Sequence, residues 1–507
     1  MEDQKSNALI TTTAKAGSSH RSLVLAVVTL AQFMVVIDFT IVQVALPSIG
    51  REFNVSINGL QWIVTTYGLT LAGFLMLSGR VGDLYGHKKL FITGVLVFSL
   101  ASLTGGLAPS ENVLIIARVI QGLGAAMASA TGLSILTATF PEGKERNRAL
   151  SVFAAATGSG FAAGMISGGI ITATLGWRWV FDINVPIGIA IALLSIRYIS
   201  SITAGGERIT ENKKRQHIDV LGAISVTAGL MLLVYSLNSA QNVGIGSSQT
   251  VELLLSSGTV LSAFLLIEYR SKAPLMPLGF LRRGSILSAN ALALLQIAPY
   301  VAMVFILTNY LQQTRGYSAL STGLAFVPMG AVFLVVSAIL SARLVNNLGV
   351  KPTVIAGMIL QTIGYLFLSG ISITESYFGG LLGPMLLIGL GTGLSFTAIN
   401  IAALTGTRKG EEGLASGLVN TSRQIGGPIG LAVLLTVANF IQTLPPPPSA
   451  HLVQQSAAAT AMAMVAGFGY AFLAAASLTG IGIIFAASLK DERHRQAGAV
   501  SATTTIH

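Results

Sequence analysis

From residue 23 onward the chain is a succession of apolar stretches of about 20 residues, each cut from the next by a short polar piece. A bilayer core about 30 Å thick is crossed by about 20 apolar residues in a helix, which satisfies its own backbone hydrogen bonds in hydrocarbon. One such stretch can be a buried core helix, but a dozen or more cannot share one globular core. Hydrophobic residues make up 52% of the chain and charged ones 10%, against about 25% charged in a soluble domain. The excess apolar surface has only lipid to face, so the chain reads as an all-α integral membrane protein.

Breaking the sequence at its polar pieces gives fourteen spans, at 23–48, 58–79, 90–108, 113–139, 150–174, 180–200, 220–240, 251–269, 285–312, 321–342, 353–371, 377–404, 415–441 and 459–488. The tendency of basic residues to stay on the cytoplasmic side checks that count, because a missed span would scramble them. With the N-terminus inside, 25 of the 30 basic residues fall in inner loops and tails. Three fall outside, Arg51, Arg178 and Arg315, and two, Arg118 and Arg423, lie within spans. Both termini are therefore expected in the cytoplasm. The net charge of +11 follows from the same asymmetry. It is divided among separate short segments that face an anionic leaflet, which argues against nucleic-acid binding. The first 21 residues are polar and lack the cationic lead and cleavage site of a secretory signal, so no cleavage is expected. With no cysteine there is neither a disulfide framework nor a thiolate metal site.

The polar knot GRVGDLYGHKKL, residues 79–90, has an echo 263 residues on: setting Gly86 over Gly349 lays GRVGDLYGHKK on ARLVNNLGVKP. A displacement of 264 lays span 5 over span 13, where small residues again dominate. Two six-span halves flanking two extra helices fit both offsets, and internal repeats mark transporters that rock one half against the other. The organisation expected is an N-tail at 1–22, a six-helix bundle at 23–200, a cytoplasmic linker and two extra helices at 201–284, a second six-helix bundle at 285–489 and a C-tail at 490–507.

These motifs together resemble the major facilitator superfamily, and within it the fourteen-span drug:proton antiporters, which are multidrug efflux proteins. GRVGDLYGHKKL is similar to that superfamily's loop signature between spans 2 and 3, and IDFTIVQVALPSI (37–49) to the first-span signature of the group. ARVIQGLGAA (117–126) resembles the fourth-span arginine motif and WRWVFDINVPIG (177–188) the start of span 6. The resemblance thins from 205 to 285 and returns in LVNTSRQIGGPIG (418–430). It implies two six-helix bundles plus two extra helices, a bacterial plasma membrane location and a monomer. This chain departs from the pattern at Leu84 and His87, usually basic; at Met165, usually proline in the span 5 exchange motif; and at Asp182, usually apolar.

Ionisable groups inside a bilayer cost several kcal/mol and are functional candidates by default. Asp38 lies nine residues before Pro47 and Arg118 six after Asn112, roughly 14 Å and 9 Å from the outer helix ends. The resemblance places spans 1 and 4 beside a central cavity. There Asp38 would carry the proton or meet a cationic substrate, with Arg118 tuning its proton affinity and Gln121 on the same face. A permanent structural ion pair is the competing reading. Gln32, Thr40 and Gln43 point at least about 120° away from Asp38 at about 100° per residue, so both sets cannot face one narrow cavity. Asn420 and Arg423 repeat the i, i+3 arrangement in span 13, as cavity lining or as an anchor between helices. Arg178 and Asp182, beside Trp177 and Trp179, read as an interfacial aromatic belt with a local salt bridge, or as a second acidic site. Glu252 and Glu268, near the ends of span 8, read as solvated. In the knot, Gly79, Gly82 and Gly86 allow close approach, and Asp83 is placed to accept from backbone N–H groups or to pair with a basic residue. With Lys88 these residues would form a cytoplasmic gate, the alternative being a plain basic loop. Gly160, Gly164, Gly168 and Gly169 in span 5 provide close helix packing.

No GxxxxGK[ST] phosphate loop occurs, so an ion gradient, taken as the proton gradient, is the expected energy source and no cofactor is expected. Few buried charges and many apolar side chains suit a small hydrophobic, neutral or cationic compound, a drug or antibiotic, exported in exchange for protons. An exporter of an endogenous metabolite, such as a siderophore or amino acid, or a self-resistance transporter, is the alternative. A membrane enzyme is disfavoured: all six histidines fall in loops or tails, and no HExxH spacing occurs.

Overall fold

The computed structural model describes residues 2–140, 144–199, 219–244, 247–271, 274, 278–281, 285–404, 412–442 and 457–489. Every predicted span is helical. The first half comprises α1 (Glu2–Phe53), α2 (Ile57–Tyr85), α3 (His87–Gly106), α4 (Glu111–Thr139), α5 (Lys144–Thr174), and the single turn α6 (Trp179–Asp182) leading into α7 (Asn184–Tyr198). A hairpin of α8 (Val220–Val243) and α9 (Ser248–Arg270) intervenes. The second half holds α10 (Leu278–Leu281), α11 (Ile286–Asn309), α12 (Ala319–Val335), α13 (Ser341–Leu348), α14 (Val350–Leu368), α15 (Leu382–Leu404), α16 (Glu412–Gln442) and α17 (Ala457–Ala487). π-helical turns at Tyr310–Thr314, Val336–Leu340 and Tyr377–Leu381 continue α11, join α12 to α13 and lead into α15.

Among the described residues twelve helices are long and apolar enough to cross a membrane; α5 and α16, each of 31 residues, occupy the two remaining predicted positions. One difference is at the start, where α1 begins at Glu2. Residues 2–16 contain neither glycine nor proline, so nothing there stops the helix and the expected polar tail continues it. The 201–218 linker, the prolines at 445–448 and the tail from 490 lie outside the described residues. The outward faces explain the composition: Leu96, Leu100, Leu103 and Leu107 are exposed along α3, spaced so as to form one stripe. Such a stripe is stable only against lipid.

The repeat read from the sequence is present in the backbone. Gly86 ends α2 with φ of 101° and Gly349 ends α13 with φ of 102°, a conformation that glycine adopts without penalty. Beyond each lies a matching close pair. A Cβ on Gly94 would sit 2.9 Å from the Gly124 carbonyl, and one on Gly357 2.7 Å from that of Gly391. These glycines let α3 approach α4, and α14 approach α15, at backbone distance.

Two seams join the halves, α5 against α12 and α2 against α16. At the first, the position of a Gly323 Cβ is 2.4 Å from the Met165 carbonyl; at the second, that of Gly68 is 2.7 Å from Pro428 Cγ. The intervening hairpin docks on the second seam. α8 inserts Leu230 and Val234 between Leu69 of α2 and Ala432 of α16, and Thr436 donates to the Leu237 carbonyl at 3.3 Å.

The apolar core is divided unevenly between the two ends of the molecule. Away from the knot, one cluster runs through both halves, from Ile41 to Ile49 of α1, through Tyr300 of α11 and Tyr310 in the π-helical turn after it, to Leu431 and Leu435 of α16. At the knot end each half has its own cluster, one around Val28, Phe91 and Leu136, the other around Leu292, Met358 and Ile399. Apolar packing between the halves is thus most extensive at the end opposite the knot; toward the knot it narrows to contacts such as Met76 of α2 against Phe280, Ile286, Ala415 and Leu418 of the second half.

Candidate functional site

The deepest polar construction sits inside the first half. Asp38 and Arg118 are both fully buried, and Arg118 Nη1 donates to Asp38 Oδ2 at 2.5 Å. Gln121 Nε2 donates to Asp38 Oδ1 at 2.7 Å, and Asn184 Nδ2 to the same oxygen at 2.9 Å. Gln121 also accepts from Arg118 Nη1 at 2.7 Å and donates to Ser102 Oγ at 2.7 Å. Arg118 Nε donates to the Ile63 carbonyl at 3.0 Å, and its guanidinium lies 4.0 Å from the centre of the Tyr67 ring. Tyr67 in turn donates to the Val35 carbonyl at 3.1 Å. Five membrane helices, α1, α2, α3, α4 and α7, thus converge on one ion pair. A buried charge is tolerated only when paired and hydrogen-bonded in this way.

Asp38, Arg118 and Gln121 come together as the sequence indicated, whereas Asn184, Ser102 and Tyr67 were not singled out from it. The two faces of α1 also separate as the helical wheel required. Thr40 faces α5, where the Cβ position of Gly164 is 1.8 Å from Thr40 Oγ1, while Asp38 points into the bundle among α4 and α7. Within this conformation the carboxylate is closed off from the space between the halves.

Near the far end of span 1 the pairing differs from expectation. Arg178 does not serve as a local partner for Asp182: its Nη1 donates to Glu52 Oε1 at 2.5 Å, and Trp177 Nε1 donates to Glu52 Oε2 at 2.6 Å. The turn at Gly176 brings this segment against the end of α1, and Glu52 outcompetes the i, i+4 neighbour. Asp182 is half-buried against Gly106, and its Oδ1 has no hydrogen-bond partner. Trp179 is exposed, as an interfacial residue should be, but Trp177 is buried. Glu268, read as solvated, is buried as well.

In the knot, Asp83 lies 3.1 Å from His87, four residues on, and is itself exposed. Lys88 Nζ donates to the Ile196 carbonyl at 2.9 Å, tying the knot to α7 of its own half. Arg80 reaches the Pro274 carbonyl in the segment leading to the second half. The glycines divide the work differently from expectation. Gly86 supplies the positive φ and Gly82 the close approach to His87, whereas a Cβ on Gly79 would meet open space.

The second half carries Arg423, only 9% exposed. Its Nη1 donates to Asn400 Oδ1 at 2.8 Å, its Nη2 to the Phe396 carbonyl at 3.0 Å, and it lies 3.9 Å from the Phe396 ring centre. It anchors α16 to α15. Asn420, one turn toward the knot end, is exposed.

A model of the Major Facilitator Superfamily matches residues 28–431. The chain belongs to this superfamily. It is 38% identical over 426 residues to the Cephamycin export protein CmcT of Amycolatopsis lactamdurans, covering 84% of this chain and 86% of that one. It is 35% identical to the Puromycin resistance protein pur8 of Streptomyces alboniger, covering 82% and 81%, and 34% identical to the Multidrug resistance protein Stp of Mycobacterium tuberculosis, covering 80% and 74%. Among solved structures, a bacterial homolog of the human lysosomal transporter Spinster, in an inward-facing and unoccupied conformation, has a TM-score of 0.63 at 16% identity, covering 92% of this chain and 96% of that chain. The human organic anion transporter MFSD10 has a TM-score of 0.60 at 14% identity, covering 92% and 99%. These two share the fold.

As a facilitator-superfamily member the chain is a membrane transporter and not an enzyme, and its span 5 glycines acquire definite places. Gly160, Gly164 and Gly168 bring α5 onto Val36, Thr40 and Ile41 of α1, whereas Gly169 faces Ala319 of α12 across the seam between the halves. Met165, in place of the proline, is buried and offers its carbonyl to the same seam.

Proposed function

We propose that this transporter exports a small hydrophobic compound, an antibiotic or comparable toxic metabolite, in exchange for protons by alternating access. It would work as a monomer in the bacterial plasma membrane with both termini in the cytoplasm. The knot end is then the cytoplasmic end, and the conformation described is inward-facing. The family membership and the antibiotic-export and resistance relatives support the substrate class. The observation that carries the coupling scheme is the carboxylate of Asp38, fully buried and held by three donors.

The coupling would work through that network rather than through direct contact with cargo. A proton taken up on Asp38 cancels the charge that holds Arg118. Breaking a buried pair by removing one charge costs about 3–5 kcal/mol, so uptake is favourable only in a conformation in which Arg118 finds another arrangement. Arg118 grips the Ile63 carbonyl of α2, and the same helix meets Pro428 of the second half at Gly68. A change of charge at Asp38 thereby bears on the α2–α16 seam. Gly79, Asp83, Gly86 and Lys88 would form the gate at the cytoplasmic end. There the 3.1 Å approach of Asp83 to His87 is one the acid would exchange for a partner in the other half on closure. Asp182 is the reserve acidic site.

The test uses inverted vesicles loaded with a pH-sensitive dye and energised, to which lipophilic drugs are added. Wild type is expected to release protons on drug addition and Asp38→Asn is not. Unchanged release in Asp38→Asn removes Asp38 from the coupling role and points to Asp182. Transport that survives collapse of the pH gradient overturns proton exchange.

A further inference from the structure

Arg423 is a buried cation that the coupling scheme leaves unused. It begins about 16 Å along α16 from Glu412 at 1.5 Å per residue, deep within a membrane helix, and all its partners are neutral: the Asn400 amide oxygen, the Phe396 carbonyl and the Phe396 ring. Arg118, at 0% exposure, has a carboxylate; Arg423, at 9%, has none. A guanidinium carries five N–H donors, and two are engaged here. Its Nε is buried and has no partner.

The direction of this group is fixed by its neighbours on α16. Gln424 and Pro428 face α2 across the seam, since their atoms meet Gly68, and Arg423 reaches α15. At about 100° per residue, Asn420 lies between those two directions, about 60° from Arg423, and it is exposed. The exposed side of α16 is thus the one between α15 and α2, which opens between the two halves and not onto lipid. Phe396 and Asn400 are half-exposed on the facing helix, and Phe396 is held edge-on by Phe333 at 5.7 Å. The arrangement is a guanidinium clamped by two acceptors and stacked on a braced ring, with two amide side chains, Asn400 and Asn420, beside it bordering the space between the halves.

We propose that Arg423, with Asn400 and Asn420, is an anion-recognition subsite, and that the transporter prefers amphiphiles bearing a carboxylate or similar monoanionic group. The scarcity of buried charge suggested neutral or cationic cargo. Among the described residues Arg423 is, however, a buried cation whose hydrogen-bond partners are all neutral, and it would repel a lone lipophilic cation. Ion pairing in a water-poor site strengthens such a contact. The inference rests on the chain being a transporter with its cavity between the halves, and not on proton coupling at Asp38.

The experiment measures equilibrium binding of 2-naphthoate and of 2-naphthamide, matched in ring and size, to the purified full-length protein in phosphatidylcholine nanodiscs with no gradient. Wild type is expected to bind the carboxylate about 10-fold more tightly than the amide. Arg423→Gln should abolish the preference, and Arg423→Lys should keep part of it. Asn400→Asp supplies an internal counter-charge while leaving the arginine in place, and should also abolish the preference, which covers the case in which Arg423→Gln does not fold. Asp38→Asn should leave it intact, so failure of the coupling scheme and failure of this subsite give different results. Added phosphatidylglycerol separates the two sources of a monoanion: competition assigns the site to a lipid headgroup, and its absence to a soluble cargo. Equal binding of the two probes by wild type, or a preference unchanged in both Arg423→Gln and Asn400→Asp, overturns the proposal.

Discussion

The two halves of the molecule share a skeleton but not a chemistry. Gly94 against Gly124 in the first half and Gly357 against Gly391 in the second set equivalent helices at equivalent distances. Counting back from the second glycine of each pair, Arg118 corresponds to Met385 and Gln121 to Ile388, and the repeat offset sets Ser102 on Tyr365. All six are 0% exposed. Where the first half has an ion pair, the second has apolar packing. Beside them lies a neutral buried network: Gln296 Nε2 donates to Ser395 Oγ at 2.5 Å and Gln361 Nε2 to the same atom at 3.1 Å. Glycine contacts preserve how helices meet, so duplication carries them to both halves. Charge is not needed for that purpose, and the two halves use it differently: Arg118 of the first half has a carboxylate partner, whereas the buried Arg423 of the second has only neutral ones.

The sharpest way to break this comparison is to make the first half resemble the second. Asp38→Ala leaves Arg118 buried without its counter-ion and should cost about 3–5 kcal/mol of stability, read as a large fall in the denaturation midpoint of the purified protein. Replacing both partners, Asp38→Leu with Arg118→Met, removes the pair as the second half does and should recover most of that loss. Gradient-driven export should stay absent. A double variant as unstable as Asp38→Ala would mean that the pair holds the fold through shape and not through charge.

The reverse intervention should have a smaller effect. Gln361→Leu removes one donor from the neutral network of the second half, with an expected cost of about 1–2 kcal/mol because Ser395 keeps its bonds to the Gln296 amide and the Gly391 carbonyl. Proton release on drug addition should remain within about 3-fold of wild type, an energy difference below 1 kcal/mol. Complete loss of release in a folded Gln361→Leu protein would end the assignment of coupling to the first half alone.

How much of this was legible beforehand follows the range of the forces involved. The spans and the duplicated halves were legible because hydropathy and glycine spacing act along the chain. The Asp38–Arg118 pair was legible because charge in hydrocarbon is rare enough to be conspicuous and the two depths agree. Asn184 was not, since an amide in an apolar helix carries no sign of its partner, which lies 146 residues away; its acidic neighbour Asp182 drew attention in its place. Arg178 was paired with Asp182 by local spacing, while the turn at Gly176 delivers it to Glu52, 126 residues distant. The place of the hairpin α8–α9 was hidden for the same reason: a seam between two halves has no signature in either.

The smallest expected effect lies at the end of the molecule where the halves pack most extensively. There the first half uses an ion pair, Glu52 with Arg178 and Trp177, while in the second Arg315 Nη1 donates to the Ile373 carbonyl at 2.8 Å. Glu52 and Arg178 are 44% and 39% exposed, so water screens their attraction and the pair contributes about 0.2–1 kcal/mol. Glu52→Gln keeps an oxygen that can accept from Trp177 Nε1 and leaves Arg178 over the Trp177 ring, 4.4 Å from its centre. Only the charge is lost. The denaturation midpoint should fall slightly at low salt, and the difference from wild type should vanish near 1 M salt, where the screening length is about 3 Å. Arg315→Gln, tested beside it, should show no such salt-dependent difference, because its partner is a neutral carbonyl. A salt-independent loss well above 1 kcal/mol in Glu52→Gln would show that this carboxylate is needed for more than a surface clasp, and that charge in the first half matters at both of its levels.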